Sequence, residues 1–187
     1  MKLSIRSICF IAMFAAVISV LSILTIPTPW GVPFTLQTFA IALAGFVLGK
    51  KCGTASAALY VLLGLVGVPV YAGMKAGPGV LFGTSGGYLF GFILMAFFSG
   101  LAFDIRSRQK NKAAGVGLSI VFAAVGLACC HILGSIQLKF VAGTTLLYAF
   151  SVGSLPYLAK DIASVAAAYL IAIAIRNALR KANLLAE

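Results

Sequence analysis

Asp161 is one of only three acidic side chains in a chain of 187 residues, and it stands shortly after Pro156 at the head of the last apolar stretch. A carboxylate at the centre of a spanning helix costs on the order of 2.5 to 3.5 kcal/mol, and less near the interface. One reading makes it an acceptor facing a ligand that carries N–H donors. The other makes it an N-cap or first-turn acid that complements the helix dipole and is screened by Lys160. Position alone leaves both open.

Other groupings are weaker. The run Gly83, Thr84, Ser85, Gly86, Gly87 could offer backbone N–H groups to an anion at a helix start. The ladder Gly79, Gly83, Gly87, Gly91 would lie on one face of a helix and let another backbone approach. Cys129, Cys130 and His131 suggest a metal site, but no second ligand pair at zinc spacing exists, so a packed helix is the expectation. Ala12 and Ala16 form a flat stripe on which another helix can lie. With one His, three acids and no Walker A sequence, a hydrolytic, metal or ATPase site has almost no material. An ion-coupled carrier would bury more ionisable groups. Passive binding, without catalysis and without a cofactor, is what these residues support.

The elements that must position them are membrane spans. The chain is 62% hydrophobic, with a mean hydropathy of +1.12, and a hydrocarbon core needs about 20 apolar residues per helix. Apolar runs at 8–26, 34–49, 54–71, 86–103, 113–134 and 162–175 predict six transmembrane helices in one all-α domain covering 1–187. The N-terminal stretch reads as a retained helix rather than a cleaved signal, because no small-residue cleavage site follows it. The stretch 143–154 reads as a loop or half-buried helix.

Charge orients the bundle. Lys2, Arg6, Lys50, Lys51, Arg106, Arg108, Lys110, Lys112, Arg176, Arg180 and Lys181 fall on one side, and only Lys75, Lys139 and Lys160 on the other. The positive-inside rule makes the first side cytoplasmic, with both termini there. The net charge of +11 thus reports topology in a multi-pass protein of the cell membrane, and a nucleic-acid partner is not expected. The opposite connectors, 25–34, 72–85 and 135–160, hold Trp30 and many of the prolines and glycines. Irregular backbone at membrane depth survives only where it is buried in protein or lines a cavity, which predicts a ligand site opening outward.

Read together, VPFTLQTFAIALAGFVLG (32–49), LYVLLGLVGVPVYAG (59–73), FGTSGGYLFGF (82–92) and, more loosely, LPYLAKD (155–161) resemble the BioY family, the biotin-binding S components of energy-coupling-factor transporters. The resemblance implies capture of biotin from outside and docking on a transmembrane coupling protein driven by two cytoplasmic ATP-binding cassette ATPases. It implies that Ala12 and Ala16 contact the coupling protein, that the Thr35–Thr38 stretch with Gln37 caps the pocket, and that Gly86, Gly87 and Tyr88 are the family's glycine-tyrosine motif. It places Asp161 opposite the ureido ring, where charge-assisted bonds to two N–H donors are strong. Trp30, Phe34, Tyr71 and Tyr88 become candidate walls of a mostly apolar pocket. Family members commonly carry Lys three positions after this Asp, where this chain has Ser164. Lys160 is expected to point to a different face, which leaves the partner of Asp161 unassigned. An S component for another small vitamin, or a carrier that works alone, are the alternatives.

Overall fold

The computed structural model describes residues 4–27, 34–109 and 111–184. Helix α1 (Ile5–Ile23) starts where the Ser4 side chain accepts from the Ser7 N–H at 3.2 Å. Its inner face carries Phe14, Ala15 and Ile18, and the hydroxyls of Ser19 and Ser22 donate back to Ala15 and Ile18 carbonyls. Ala12 and Ala16 lie on the opposite, exposed face beside Met13 and Val17. Two short strands follow, β1 (Thr25–Ile26) and β2 (Phe34–Thr35), antiparallel with Thr25 opposite Thr35. The expected all-α fold therefore gains a minimal hairpin that clamps the ends of the proline-rich connector. Trp30 lies outside the described residues.

Helix α2 (Gln37–Leu65) is a reversed element rather than one straight rod. Gln37 Nε2 donates to Tyr60 Oη at 2.6 Å, whereas 23 residues of straight α-helix would separate them by roughly 34 Å. The reversal falls at Gly49, at φ 78° and ψ 174°, a backbone conformation that strongly favours glycine. The arms can touch because a Cβ on Gly53 would stand only 2.7 Å from Gly45 Cα. The expected turn at 50–53 thus sits at its N-terminal edge, and the second arm takes up those residues as helix.

The chain then turns through a 3₁₀ segment (Ala72–Met74) and α3 (Pro78–Leu81) before entering α4 (Gly86–Arg108). Helix α5 (Lys112–Ala142) is N-capped by Asn111 and ends at Gly143 with φ 64°. A short α6 (Leu146–Gly153) leads to α7 (Leu155–Lys181). Five helices, α1, α2, α4, α5 and α7, are long and apolar enough to cross a membrane. At eight residues α6 is too short to do so.

Three boundaries differ most from expectation: the second arm of α2 ends at Leu65 rather than 71, at a turn where Gly67 takes φ 105°. Helix α5 runs about two turns past 134, because the polar residues there do not end it: the Gln137 amide donates to the carbonyls of Leu81 and Gly83 at 2.8 and 2.7 Å. Helix α7 begins at Leu155 instead of 162, with Pro156 in its first turn, where a missing N–H costs nothing. Arg6 Nη1 meets the Asn183 carbonyl at 3.1 Å, so the two described ends of the chain lie together.

The packing of α4 depends on small residues. Gly87 abuts the Leu133 carbonyl, and a Cβ on Gly91 would stand 2.5 Å from Cys130 Cα. Only these two members of the expected ladder share α4; Gly79 lies in α3 and Gly83 between the helices. Gly91→Ala should therefore force α4 from α5 and lower stability by about 1–3 kcal/mol. Gly117→Ala, with nothing within 4 Å of its would-be Cβ, should be neutral or stabilising by up to about 1 kcal/mol. Thermal unfolding of both variants in detergent checks the contrast.

Candidate functional site

A cavity opens at one end of the bundle, with about 800 Å³ of space between its walls, part of it open to solvent. Its rim and walls come from several elements. Thr35, Gln37 and Thr38 arrive from β2 and the start of α2, Tyr71 and Lys75 from the 3₁₀ connector, and Tyr88, Leu89 and Phe92 from α4. Cys130 and His131 of α5 and Tyr157 and Asp161 of α7 complete it.

Both cavity tyrosines sit in notches cut by glycine. The Tyr71 ring occupies the space a side chain would fill at Gly64, and the Tyr88 ring does the same at Gly134. Their hydroxyls are spent on protein: Tyr71 Oη donates to the Val61 carbonyl and Tyr88 Oη to the Gly153 carbonyl, each at 2.6 Å. The rings are fixed, so their apolar surfaces are what the cavity can use. Thr35 and Gln37 bond to each other at 3.0 Å, and Gln37 is held by Tyr60, which packs edge-on to Tyr71.

Polarity gathers at Asp161, which is 6% exposed. It is the seventh residue of α7, and no acid occupies that helix's first turn, so the capping reading is set aside. Lys160 Nζ lies 2.5 Å from Oδ1 and also donates to the Thr35 carbonyl at 2.9 Å. The expectation that Lys160 faces elsewhere is corrected: its flexible four-carbon stem carries the ammonium back toward the carboxylate. On the other side His131 Nε2 stands 3.3 Å from Oδ2. A buried carboxylate without such partners would carry a large desolvation cost.

The remaining expected site residues divide. Phe34 is not among the residues that bound the cavity but stacks on Tyr157, which does, with centroids 4.6 Å apart. Gly86 and Gly87 lie outside the lining; Gly86 packs against the Leu81 carbonyl and Gln137, Gly87 against α5, and the Gly86 N–H is already bonded to the Gly83 carbonyl. Ser164 is half-buried and outside the lining. His131 was missed as a site residue because it was read with its cysteine neighbours. Cys130 instead packs at Tyr88, with Sγ 3.7 Å from that carbonyl, while the imidazole turns to Asp161. The usable signal was that this is the chain's only histidine, placed in an apolar span at the depth of the carboxylate's end.

Long apolar helices around a cavity that holds a buried, compensated carboxylate are the arrangement of a membrane protein with a small-molecule site. Comparison with known proteins is specific. The family model described as the BioY family matches residues 1–181. The biotin transporter BioY of Thermotoga maritima is 41% identical over 92% of this chain and 96% of its own. The probable biotin transporter BioY of Pyrococcus horikoshii is 32% identical, covering 89% and 94%. A crystal structure of the S-component for biotin from an ECF-type ABC transporter superposes with a TM-score of 0.79 at 27% identity, over 92% of both chains. The chain belongs to the BioY family and is a multi-pass membrane protein; the family is one of transporters, not of enzymes.

Tyr88→Phe should cost about 1–3 kcal/mol of stability, because it strands a buried Gly153 carbonyl without its donor. Thermal unfolding in detergent, compared with the unaltered protein, measures it.

Proposed function

We propose that this protein is the biotin-capture S component of an energy-coupling-factor vitamin transporter. The observation that carries this reading is the buried Asp161 carboxylate, flanked by Lys160 and His131, in a cavity that mixes polar and apolar walls. Biotin's ureido ring offers two N–H donors to such an acceptor. Its bicyclic body and tail suit Val80, Leu89, Phe92 and the faces of Tyr71 and Tyr88. Thr35 and Gln37 border the ligand from β2 and the start of α2.

The reversed α2 crosses twice, so that with α1, α4, α5 and α7 the chain makes six crossings and both ends return to one side. The positive-inside rule makes that side cytoplasmic. Ala12 and Ala16, exposed on α1, offer a flat stripe to a transmembrane coupling protein. Two partner ATPases supply the energy for release inward, since this chain has no nucleotide-binding motif.

Purified protein without ATPases should bind biotin saturably below micromolar concentration, and Asp161→Ala should weaken binding by more than about 1 kcal/mol because the ligand's donors lose their acceptor. Absence of saturable binding sinks the reading; unchanged affinity removes Asp161 from the site. Uptake into liposomes should require the added ATPases, and uptake by this chain alone would show a self-sufficient carrier. Orientation is tested with a membrane-impermeant thiol reagent on cells: a cysteine introduced at Lys75 should label from outside, and one at Asn183 should not.

A further inference from the structure

Three side chains reach the Asp161 carboxylate: Thr38 of α2, Lys160 and His131. Lys160 approaches Oδ1 from the same helix and is itself tied to β2 through the Thr35 carbonyl. A single contact of that kind leaves the carboxylate free to swing about its terminal torsion, which is broad and soft. His131 approaches the second oxygen from α5, a different helix, at 3.3 Å.

The imidazole is itself fixed. Its ring stands edge-on to Tyr88 with centroids 6.2 Å apart, and its own carbonyl accepts from Ser154 Oγ at 3.4 Å. The side chain is 5% exposed and borders the cavity. Both ring nitrogens are buried, and neither makes a hydrogen bond of regular geometry with a described residue, so the 3.3 Å approach of Nε2 to the carboxylate is an electrostatic contact, a situation that buried polar groups ordinarily avoid. Packing alone would be better served by a leucine or methionine in an apolar span.

We propose that His131 is a positioning residue for ligand recognition: from α5 it fixes the plane of the Asp161 carboxylate so that its free lone pairs face the cavity. The inference rests on the reading of the site as a biotin site. His131 acts through Asp161 and makes its contribution only while that carboxylate is present. Specificity for a ligand with two adjacent N–H donors follows from a carboxylate held in one plane rather than two.

The test is a double-mutant cycle on biotin affinity in the full chain. His131→Leu should weaken binding at least about tenfold, about 1.4 kcal/mol. His131→Gln, whose amide still reaches the carboxylate, should recover a large part of the loss. In the Asp161→Asn background, adding His131→Leu should cost no more than about twofold, because strongly coupled residues are non-additive. A His131→Leu affinity within about twofold of the unaltered protein, or an equal loss in both backgrounds, overturns the proposal. Binding by the unaltered protein separates this failure from failure of the biotin reading; no binding by it overturns both. A readout free of any change at His131 comes from protein labelled with ¹⁵N-histidine, since the chain has one histidine. The imidazole signals should shift on adding biotin and on Asp161→Asn, and signals unmoved by both overturn the proposal.

Discussion

A carboxylate kept out of water inside a helical bundle needs partners supplied from fixed places, and the cavity end of this protein is built around that requirement. Lys160 compensates Asp161 from its own helix, the Thr35 carbonyl holds Lys160 from β2, and His131 closes the cluster from α5. Three segments distant in sequence are thereby tied to one oxygen pair. The short β1–β2 pairing has its role here, because it sets the position of Thr35. Truncating any member leaves the others buried and uncompensated, which is why such clusters are energetically sensitive even where they add little net stability.

The approach of the helices follows from small residues rather than from charge. In lipid there is no hydrophobic gain in bringing helices together, so contact rests on close van der Waals fit. Gly45, Gly53 and Gly100 allow the arms of α2 and the body of α4 to meet, while Gly87 and Gly91 do the same for α4 and α5. Gly64 and Gly134 instead admit the tyrosine rings. Because both hydroxyls are bonded to backbone carbonyls, these rings present apolar surface to the cavity. Those faces stand beside polar groups such as Thr35, Gln37 and Asp161, a mixture suited to a ligand with an apolar body and polar ends.

Much of this was legible in the residues alone. Apolar runs and the sorting of Lys and Arg located the long helices, and the rarity of acids singled out Asp161. The reversal at Gly49 was readable as a short connector with Lys50 and Lys51, but its placement depended on a positive φ that only the folded chain reveals. The extensions of α5 to Ala142 and of α7 back to Leu155 were not legible, because hydropathy marks where apolarity ends and not where helix ends. Gln137 looked like a terminator and is a tie to the Leu81 and Gly83 carbonyls. The Lys160–Asp161 contact was hidden by helical periodicity, which describes Cβ directions and says little about where a long flexible side chain ends. His131 was hidden by its neighbours, since adjacency to two cysteines suggested chemistry among the three and drew attention from a partner on another helix.

The opposite end of the bundle solves a different problem with the same residue types. Arg176 donates to the carbonyls of Phe46 and Val47, which stand at the end of the first arm of α2, and its guanidinium lies 4.3 Å from the centroid of the Phe103 ring. Those carbonyls would otherwise be unsatisfied where the helix breaks at Gly49. Asp104 accepts from the Lys50 N–H on the far side of the same break, and Arg106 donates to Tyr169 Oη at 2.6 Å. Charges here repair a helix interruption. At the cavity end, Asp161 repairs nothing in the backbone: its helix continues unbroken around it, and Lys160 and His131 offset the cost of burying it. A protein that needed charge merely for topology or for helix ends would have no use for an acid in that position. The contrast between the two ends is thus a physical argument that Asp161 is not there to complete the backbone of its own helix.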